Sequence, residues 1–86
     1  MRVQTKPPVP SKQAVKYLNG LNAKTQQRIR DGIEAIPKGD IIPYAGNKEY
    51  YRLRIGKYRI LFKWISEGQI FVSLIDSRGQ IYKRGV

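Results

Sequence analysis

The hydrophobic pattern of the chain changes period near residue 49, from helical spacing to alternation. Three runs after this point, residues 49–55, 58–65 and 70–76, are rich in β-branched and aromatic side chains. They are separated by Gly56-Lys57 and Glu67-Gly68, and links of two residues join antiparallel neighbours. The pattern therefore predicts three antiparallel strands that form two tight hairpins.

The short link at Gly56-Lys57 also fixes which residues face each other in the first hairpin. The predicted pairs are Ile55 with Tyr58, Arg54 with Arg59, Leu53 with Ile60 and Tyr51 with Phe62. One face of the hairpin is then apolar, and the other sets Arg54 against Arg59. Arg52 and Lys63 share this second face. For any one arginine, solvation on an exposed strand is the simpler interpretation, but like charges directly opposite destabilise a sheet. The cluster therefore indicates a site for phosphate, which guanidinium groups can grip through two oxygens at once.

Two helices are predicted before the strands. Ser11 and Asn22 are suitable N-caps, and Asn19-Gly20 and Pro37 are suitable ends. The apolar positions at helical spacing are Ala14, Val15 and Leu18 in the first helix and Ile29, Ile33 and Ile36 in the second. Residues 1–5 predict a short first strand, residues 6–10 a proline-rich connector, and residues 40–48 a loop.

These elements predict an α+β fold of one domain over residues 1–86. A short N-terminal strand precedes two helices, which pack on one face of a small antiparallel sheet in the order β-α-α-β-β-β. Gly32 inside the second helix either permits a close contact or marks a weak point. By default, the core takes the aromatic residues Tyr51, Tyr58, Phe62, Trp64 and Phe71. Tyr50 and Tyr82 are candidates for stacking on bases.

The charge balance narrows the choice of partner. The 86 residues include 17 Lys and Arg against six Asp and Glu, a net charge of +11, which favours a nucleic acid over an anionic lipid surface. Cysteine and histidine are absent, so we expect no metal and no other cofactor. No run approaches the roughly 20 apolar residues of a membrane span, and residues 1–10 lack the apolar stretch of a signal peptide. We therefore expect no membrane association and a cytoplasmic location.

The run YRLRIGKYRILF at residues 51–62 resembles the central hairpin of the RelE-like toxins. The resemblance extends over nearly the whole chain. It is supported by Gly39-Asp40-Ile41, by Gly46, by a last strand that ends in Arg78 and by a closing Ile81-Tyr82 pair. It implies a ribosome-dependent endoribonuclease that cleaves messenger RNA without a metal, uses the ribose 2′-hydroxyl as nucleophile, inhibits translation and is neutralised by a cognate antitoxin.

The resemblance also implies the residues of the site. Arg59 follows the hairpin turn, Arg78 follows the last strand, and Tyr82 lies near the end of the chain; these three are the candidate catalytic residues. The candidate RNA-binding residues are Arg52, Arg54, Lys57, Lys63, Lys83 and Arg84. Fixed cations such as Arg59 and Arg78 stabilise the charge that develops on phosphate oxygens. With no histidine present, Tyr82 is the best available general base if neighbouring cations lower its pKa.

Two other functions remain compatible with the sequence. A ParE-like inhibitor of DNA gyrase has the same fold and acts by binding protein, without the arginine and tyrosine set. A catalytically inactive, nucleic-acid-binding member of the fold would keep the basic surface but not the cleavage. Arginine at all four matched cationic positions, together with Tyr82, favours the nuclease.

Overall fold

A computed structural model describes residues 3–77 of the chain as two helices and a five-stranded sheet. The helices are α1 (Lys12–Asn19) and α2 (Ala23–Glu34). The strands are β1 (Val9–Pro10), β2 (Asp40–Pro43), β3 (Tyr51–Ile55), β4 (Tyr58–Ser66) and β5 (Gln69–Ser77).

Both helices begin at the predicted caps. The Ser11 side chain accepts a hydrogen bond from the backbone N–H of Ala14, and Asn22 Oδ1 accepts one from the N–H of Thr25 at 2.8 Å. Each cap satisfies one of the N–H groups that a helix leaves unpaired in its first turn. Ser11 has a second role, because its hydroxyl donates to the carbonyl of Ser73 on β5 at 2.7 Å and so fastens the start of α1 to the sheet.

The strands lie in the order β1-β5-β4-β3-β2. β1 runs parallel to β5, and the other neighbours are antiparallel. In the first hairpin all four predicted pairs are found: Ile55 with Tyr58, Arg54 with Arg59, Leu53 with Ile60 and Tyr51 with Phe62. The turn between β3 and β4 uses Gly56 at a φ of +57°, where a glycine is favoured.

The helices cover one face of the sheet, as predicted. Ala14 and Leu18 of α1 and Ile29 and Ile33 of α2 pack there against the inward residues of the strands. Those strand residues are Leu53, Tyr58, Ile60, Phe62, Ile70, Val72 and Ile75. The α+β class and the two-helix layer are therefore confirmed. Val15 was expected on the packed side of α1, but it is 41% exposed.

Two strand assignments from the sequence were wrong. The first strand is Val9–Pro10, inside the predicted connector, whereas residues 3–5 form no strand. Residues 40–43, expected in a loop, form β2 on the far edge of the sheet. Both strands are short edge strands that contain a proline, and at an edge a missing N–H breaks no ladder hydrogen bond. The sheet thus has five strands and is mixed, where three antiparallel strands after the helices were predicted.

The segment before β1 is tied down by hydrogen bonds although it is not a strand. The backbone N–H groups of Thr5 and Lys6 donate to the carbonyl of Gly68 at 2.8 and 3.1 Å. The Gln4 side chain donates to the carbonyls of Ile33 and Ile36 at 2.8 and 3.1 Å. Ile33 lies in the last turn of α2, where its carbonyl also accepts from the N–H of Ile36 at 3.2 Å, and Ile36 lies just past the end of the helix. The segment therefore links α2 to the turn between β4 and β5.

Gly32 permits a close contact. A Cβ atom at this position would collide with Cδ1 of Ile55, which packs against the core from β3. The absence of a side chain lets α2 approach the first hairpin, and this contact offsets the weak helix propensity of glycine.

Candidate nucleic-acid interface

The face of the sheet opposite the helices carries the arginine cluster, and we call it the open face. In β3 and β4 it is formed by the residues that alternate with the core positions: Arg52, Arg54, Arg59, Leu61 and Lys63. In β5 it is formed by Phe71, Leu74 and Asp76, which pair with Lys63, Leu61 and Arg59. The alternation predicted from the sequence places every described strand cation on this face.

A row of four charged residues crosses the open face near the β3–β4 turn. Asp40 of β2 pairs with Arg54, Arg54 pairs with Arg59, and Arg59 pairs with Asp76 of β5. The two like charges at the centre are thus flanked by an acid on each side. This arrangement reduces the repulsion between Arg54 and Arg59, since cross-strand neighbours of opposite charge attract.

Arg52 lies on the open face but is nearly enclosed. Only 8% of the residue is exposed, and its Nη2 lies 3.7 Å from Oδ1 of Asp40. Its Nε is buried and has no hydrogen-bond partner among the described residues. A guanidinium with one distant carboxylate and an unpaired N–H keeps much of its positive field. Arg52 is therefore placed to act as a fixed cation beneath the surface and not as an exposed arm.

Arg59 is partly buried and weakly held. Its Nη1 lies 3.5 Å from the carbonyl oxygens of Gly56 and Tyr58, at the long limit of a hydrogen bond, and its Nε has no partner within residues 3–77. Arg54, on the facing strand, is exposed. The guanidinium donors of Arg54 and Arg59 thus retain hydrogen-bonding capacity for an anionic ligand at the open face.

Two lysines of the predicted site lie within the described residues, one at the β3–β4 turn and one farther along β4. Lys57 is exposed in the β3–β4 turn, with its Nζ 5.5 Å from the centre of the Tyr58 ring. Lys63 lies beyond Leu61, with its Nζ 3.9 Å from Oε2 of Glu49 and 5.3 Å from the centre of the Tyr50 ring. Lys57 adjoins the arginine pair, and Lys63 belongs to a separate aromatic region.

That aromatic region contains a small second core. Tyr44, Leu61 and Leu74 are buried together on the open face, with Tyr50 packed against them. Tyr50 packs between this cluster and Lys63, so part of the ring surface that could stack on a base is already in contact with the protein. Phe71, assigned from the sequence to the main core, is instead partly buried on the open face opposite Lys63.

Tyr17 of α1 lies at the edge of the sheet near the end of β5. Burial raises the pKa of its hydroxyl, a hydrogen bond with the Ser77 side chain opposes this rise, and the nearby charge of Asp76 adds to it. The ring meets Tyr58 edge to face, with centroids 6.4 Å apart. Tyr17 thereby fixes α1 beside the strand end from which the chain continues toward Arg78.

The sequence interpretation missed the two acids. No site role was assigned to Asp76 from the sequence, and Asp40 falls in the loop predicted over residues 40–48. The register of β4 and β5 contained the signal for Asp76, since it aligns Arg59 with that position. Of the predicted site, the structure brings together Arg52, Arg54, Lys57 and Arg59. Four further predicted residues, Arg78, Tyr82, Lys83 and Arg84, lie outside the described residues.

The arrangement is suited to binding phosphate. Two adjacent arginines can each offer a bidentate donor pair, and their charges add over the distance between neighbouring strands.

Within residues 3–77 no helix is long and apolar enough to cross a membrane.

Comparison with solved structures finds the same fold. The chain superposes with a TM-score of 0.69 and 28% sequence identity on a chain of the RelB–RelE antitoxin–toxin complex from Methanococcus jannaschii. The match covers 88% of this chain and 96% of the other. No protein-family model matches the sequence, and no curated protein matches it. The chain therefore has the fold of the RelE-like toxins, the family that its hairpin sequence resembles.

Proposed function

We propose that this protein is the toxin of a toxin–antitoxin pair and that it cleaves messenger RNA on the ribosome. The observation that carries the proposal is the pairing of Arg54 with Arg59 on a sheet face that the helices leave open. Two facing guanidinium groups repel each other, and the flanking Asp40 and Asp76 reduce this repulsion without removing the positive charge that a phosphate would meet. The similarity to a chain of the RelB–RelE complex supports the same conclusion.

The proposed RNA cleavage relies on the fixed positive charges of side chains and not on a metal ion. The ribose 2′-hydroxyl attacks the adjacent phosphorus, the bond to the 5′-oxygen breaks, and the leaving 5′-oxygen takes up a proton from water. The products are a 2′,3′-cyclic phosphate and a 5′-hydroxyl. Negative charge grows on the nonbridging oxygens in the transition state, where preorganised donors stabilise it most. Arg59 supplies such donors in the proposal, together with Arg78, and Tyr82 takes the proton of the 2′-hydroxyl.

Binding energy comes from the wider basic surface. Arg54 and Lys57 are exposed beside Arg59, and Arg52 adds a buried positive charge behind them. Contacts of this kind position the RNA backbone, and alignment within the ribosome contributes further, since positioning alone can be worth about 7 to 11 kcal/mol. In this proposal Lys63, Lys83 and Arg84 extend the same backbone contacts, and the protein acts in the cytoplasm, where ribosomes are.

The test is cleavage of messenger RNA bound to purified ribosomes. A metal chelator is added only at concentrations that the ribosomes tolerate. We expect Arg59→Ala and Arg78→Ala each to lower the cleavage rate while the melting temperature stays within a few degrees. Arg30→Ala is the matched control, because it removes an exposed arginine from α2 without touching the open face. Equal cleavage by all three variants would overturn the site assignment. Double-strand DNA breaks with intact translation in expressing cells would favour gyrase inhibition.

Neutralisation is expected to follow from the same charges. A toxin with a net charge of +11 attracts an acidic antitoxin, and the similar solved structure is itself an antitoxin–toxin complex. Electrostatic steering makes association fast at low salt and slower as salt screens the charges. Stopped-flow association with the antitoxin, which we expect to be an acidic protein encoded beside this one, measures the effect. An on-rate that stays constant or rises with salt contradicts this mechanism.

A further inference from the structure

The β3–β4 turn is approached by an arginine from the helical layer as well as by those of the sheet. A Cβ atom at Gly56 would lie 2.9 Å from Nη2 of Arg28 and 3.4 Å from its Cζ. The guanidinium of Arg28, from the middle of α2, therefore rests against the turn backbone in space that only a glycine leaves free. The carbonyl of the same glycine lies 3.5 Å from Nη1 of Arg59.

Arg28 is exposed, and within residues 3–77 its guanidinium takes part in no ion pair and no hydrogen bond. Asp31, three residues later on α2, accepts a hydrogen bond from the Gln27 side chain at 2.8 Å instead. Lys24 stands four residues earlier on α2, so it lies on the same side of the helix and adds a second positive charge. Arg28 therefore adds a positive charge beside a turn that already carries Lys57 and adjoins Arg59.

These positions form a continuous basic path. It runs from Arg54 and Arg59 on the open face, across the turn at Lys57, to Arg28 on α2. We propose that Arg28 is a further binding residue for an RNA phosphate, and that it continues the backbone path around the turn onto the helical layer. This inference rests on the proposed function, because it takes the arginine pair of the open face as the start of the path.

A path of phosphate contacts has a measurable signature in salt dependence. Each contact to a single strand contributes about 0.7 to the slope of log K against log salt concentration. The probe is a single-stranded RNA with 2′-methoxy groups, which binds but has no nucleophile for cleavage. We expect Arg28→Ala to lower the slope by about 0.7. Arg28→Lys should keep the slope, because the charge remains within reach of the phosphate.

Arg30→Ala is the control for this experiment as well. Arg30 is exposed on the same helix, but two residues correspond to about 200° of rotation, and it lies beside Pro7 and Pro8 on another side of the protein. Its slope should equal that of the unmodified protein. All variants are checked by thermal melting, so a changed slope is interpreted only for folded protein.

A second measurement identifies the source of the phosphate. If messenger RNA is the ligand, Arg28→Ala changes binding to the free probe; if ribosomal RNA is the ligand, it changes only binding to empty ribosomes. The inference is overturned when Arg28→Ala equals Arg30→Ala in both measurements. Failure of the proposed function is a separate result, recognised by normal messenger cleavage in Arg59→Ala.

Discussion

The two phenylalanines of the chain provide a direct test of which sheet face is the core. Phe62 on β4 is 1% exposed on the helix-covered face and stacks on Tyr51 with ring centroids 5.7 Å apart. Phe71 on β5 lies on the open face and is partly exposed. Replacing each by alanine removes the same atoms from the same sheet, so the difference in stability measures the difference between the two faces.

The expected magnitude follows from the burial of each ring. Phe62→Ala should lower the free energy of unfolding by about 3 to 5 kcal/mol, the usual range for a buried phenylalanine that leaves a cavity. An 86-residue protein has roughly 4 to 13 kcal/mol of total stability, so this change removes a large part of it. The melting temperature should fall by at least about 12 °C. Phe71→Ala should cost about 1 kcal/mol, as partly exposed substitutions do.

Urea denaturation monitored by circular dichroism measures both variants, and a constant slope against denaturant shows that only stability has changed. A loss in Phe71→Ala equal to or larger than that in Phe62→Ala would refute the face assignment. Such a result would also change the face to which the arginines are assigned, because a register slip of one residue exchanges the two faces of a strand.

Two further predictions concern the packing of the helices. Gly32→Ala should bring less than the gain of up to about 1 kcal/mol that alanine normally gives inside a helix, because its Cβ meets Cδ1 and Cγ1 of Ile55. In an Ile55→Val background, which removes Cδ1 but leaves Cγ1 at 3.1 Å, the same substitution should be more favourable in urea denaturation. Equal effects in both backgrounds would disprove the contact. Burial raises the pKa of Tyr17, so the folded state holds this proton more tightly than the unfolded chain, whose tyrosine pKa is near 10. The stability due to this group is therefore present below pH 10 and is lost as the pH rises through the folded pKa. Tyr17→Phe should show a smaller loss of stability between pH 9 and 11 than the unmodified protein. Parallel curves of stability against pH for the two proteins would contradict the assignment.

The sequence predicted the hairpin register and the helix caps because each depends on local chemistry. A two-residue turn leaves one register, and the side chains of Ser11 and Asn22 bond within three residues of themselves. The edge strands could not be predicted in this way. β2 becomes a strand through its pairing with β3, eight to fourteen residues away, and its two isoleucines are too short a run, ending in Pro43, to predict a strand by themselves.

For the site as well, local sequence patterns predicted some features, and others depend on tertiary packing. Alternation alone predicted that Arg52, Arg54 and Arg59 share a face. It gave no measure of their exposure, which depends on what β2 and β5 place beside them. Ile42 and Leu61 pair with Arg52 on either side, and Asp40 lies within ion-pair distance, so Arg52 is enclosed while Arg54 is not. The contact of Arg28 with the turn likewise depends on how α2 packs on the sheet, which no short-range pattern contains.

Arg52 is expected to affect both the stability of the fold and the binding of RNA, and one substitution tests the two effects separately. Arg52→Met keeps an unbranched apolar chain in the space beside Leu61 but removes the charge. Replacing a poorly satisfied buried cation by an apolar side chain is often neutral or stabilising, and Asp40 is 56% exposed, so water can solvate it. We therefore expect the free energy of unfolding to stay unchanged or rise, while affinity for the 2′-methoxy RNA falls as the field behind Arg54 and Arg59 weakens. A less stable variant with undiminished RNA affinity would instead make Arg52 only the structural partner of Asp40.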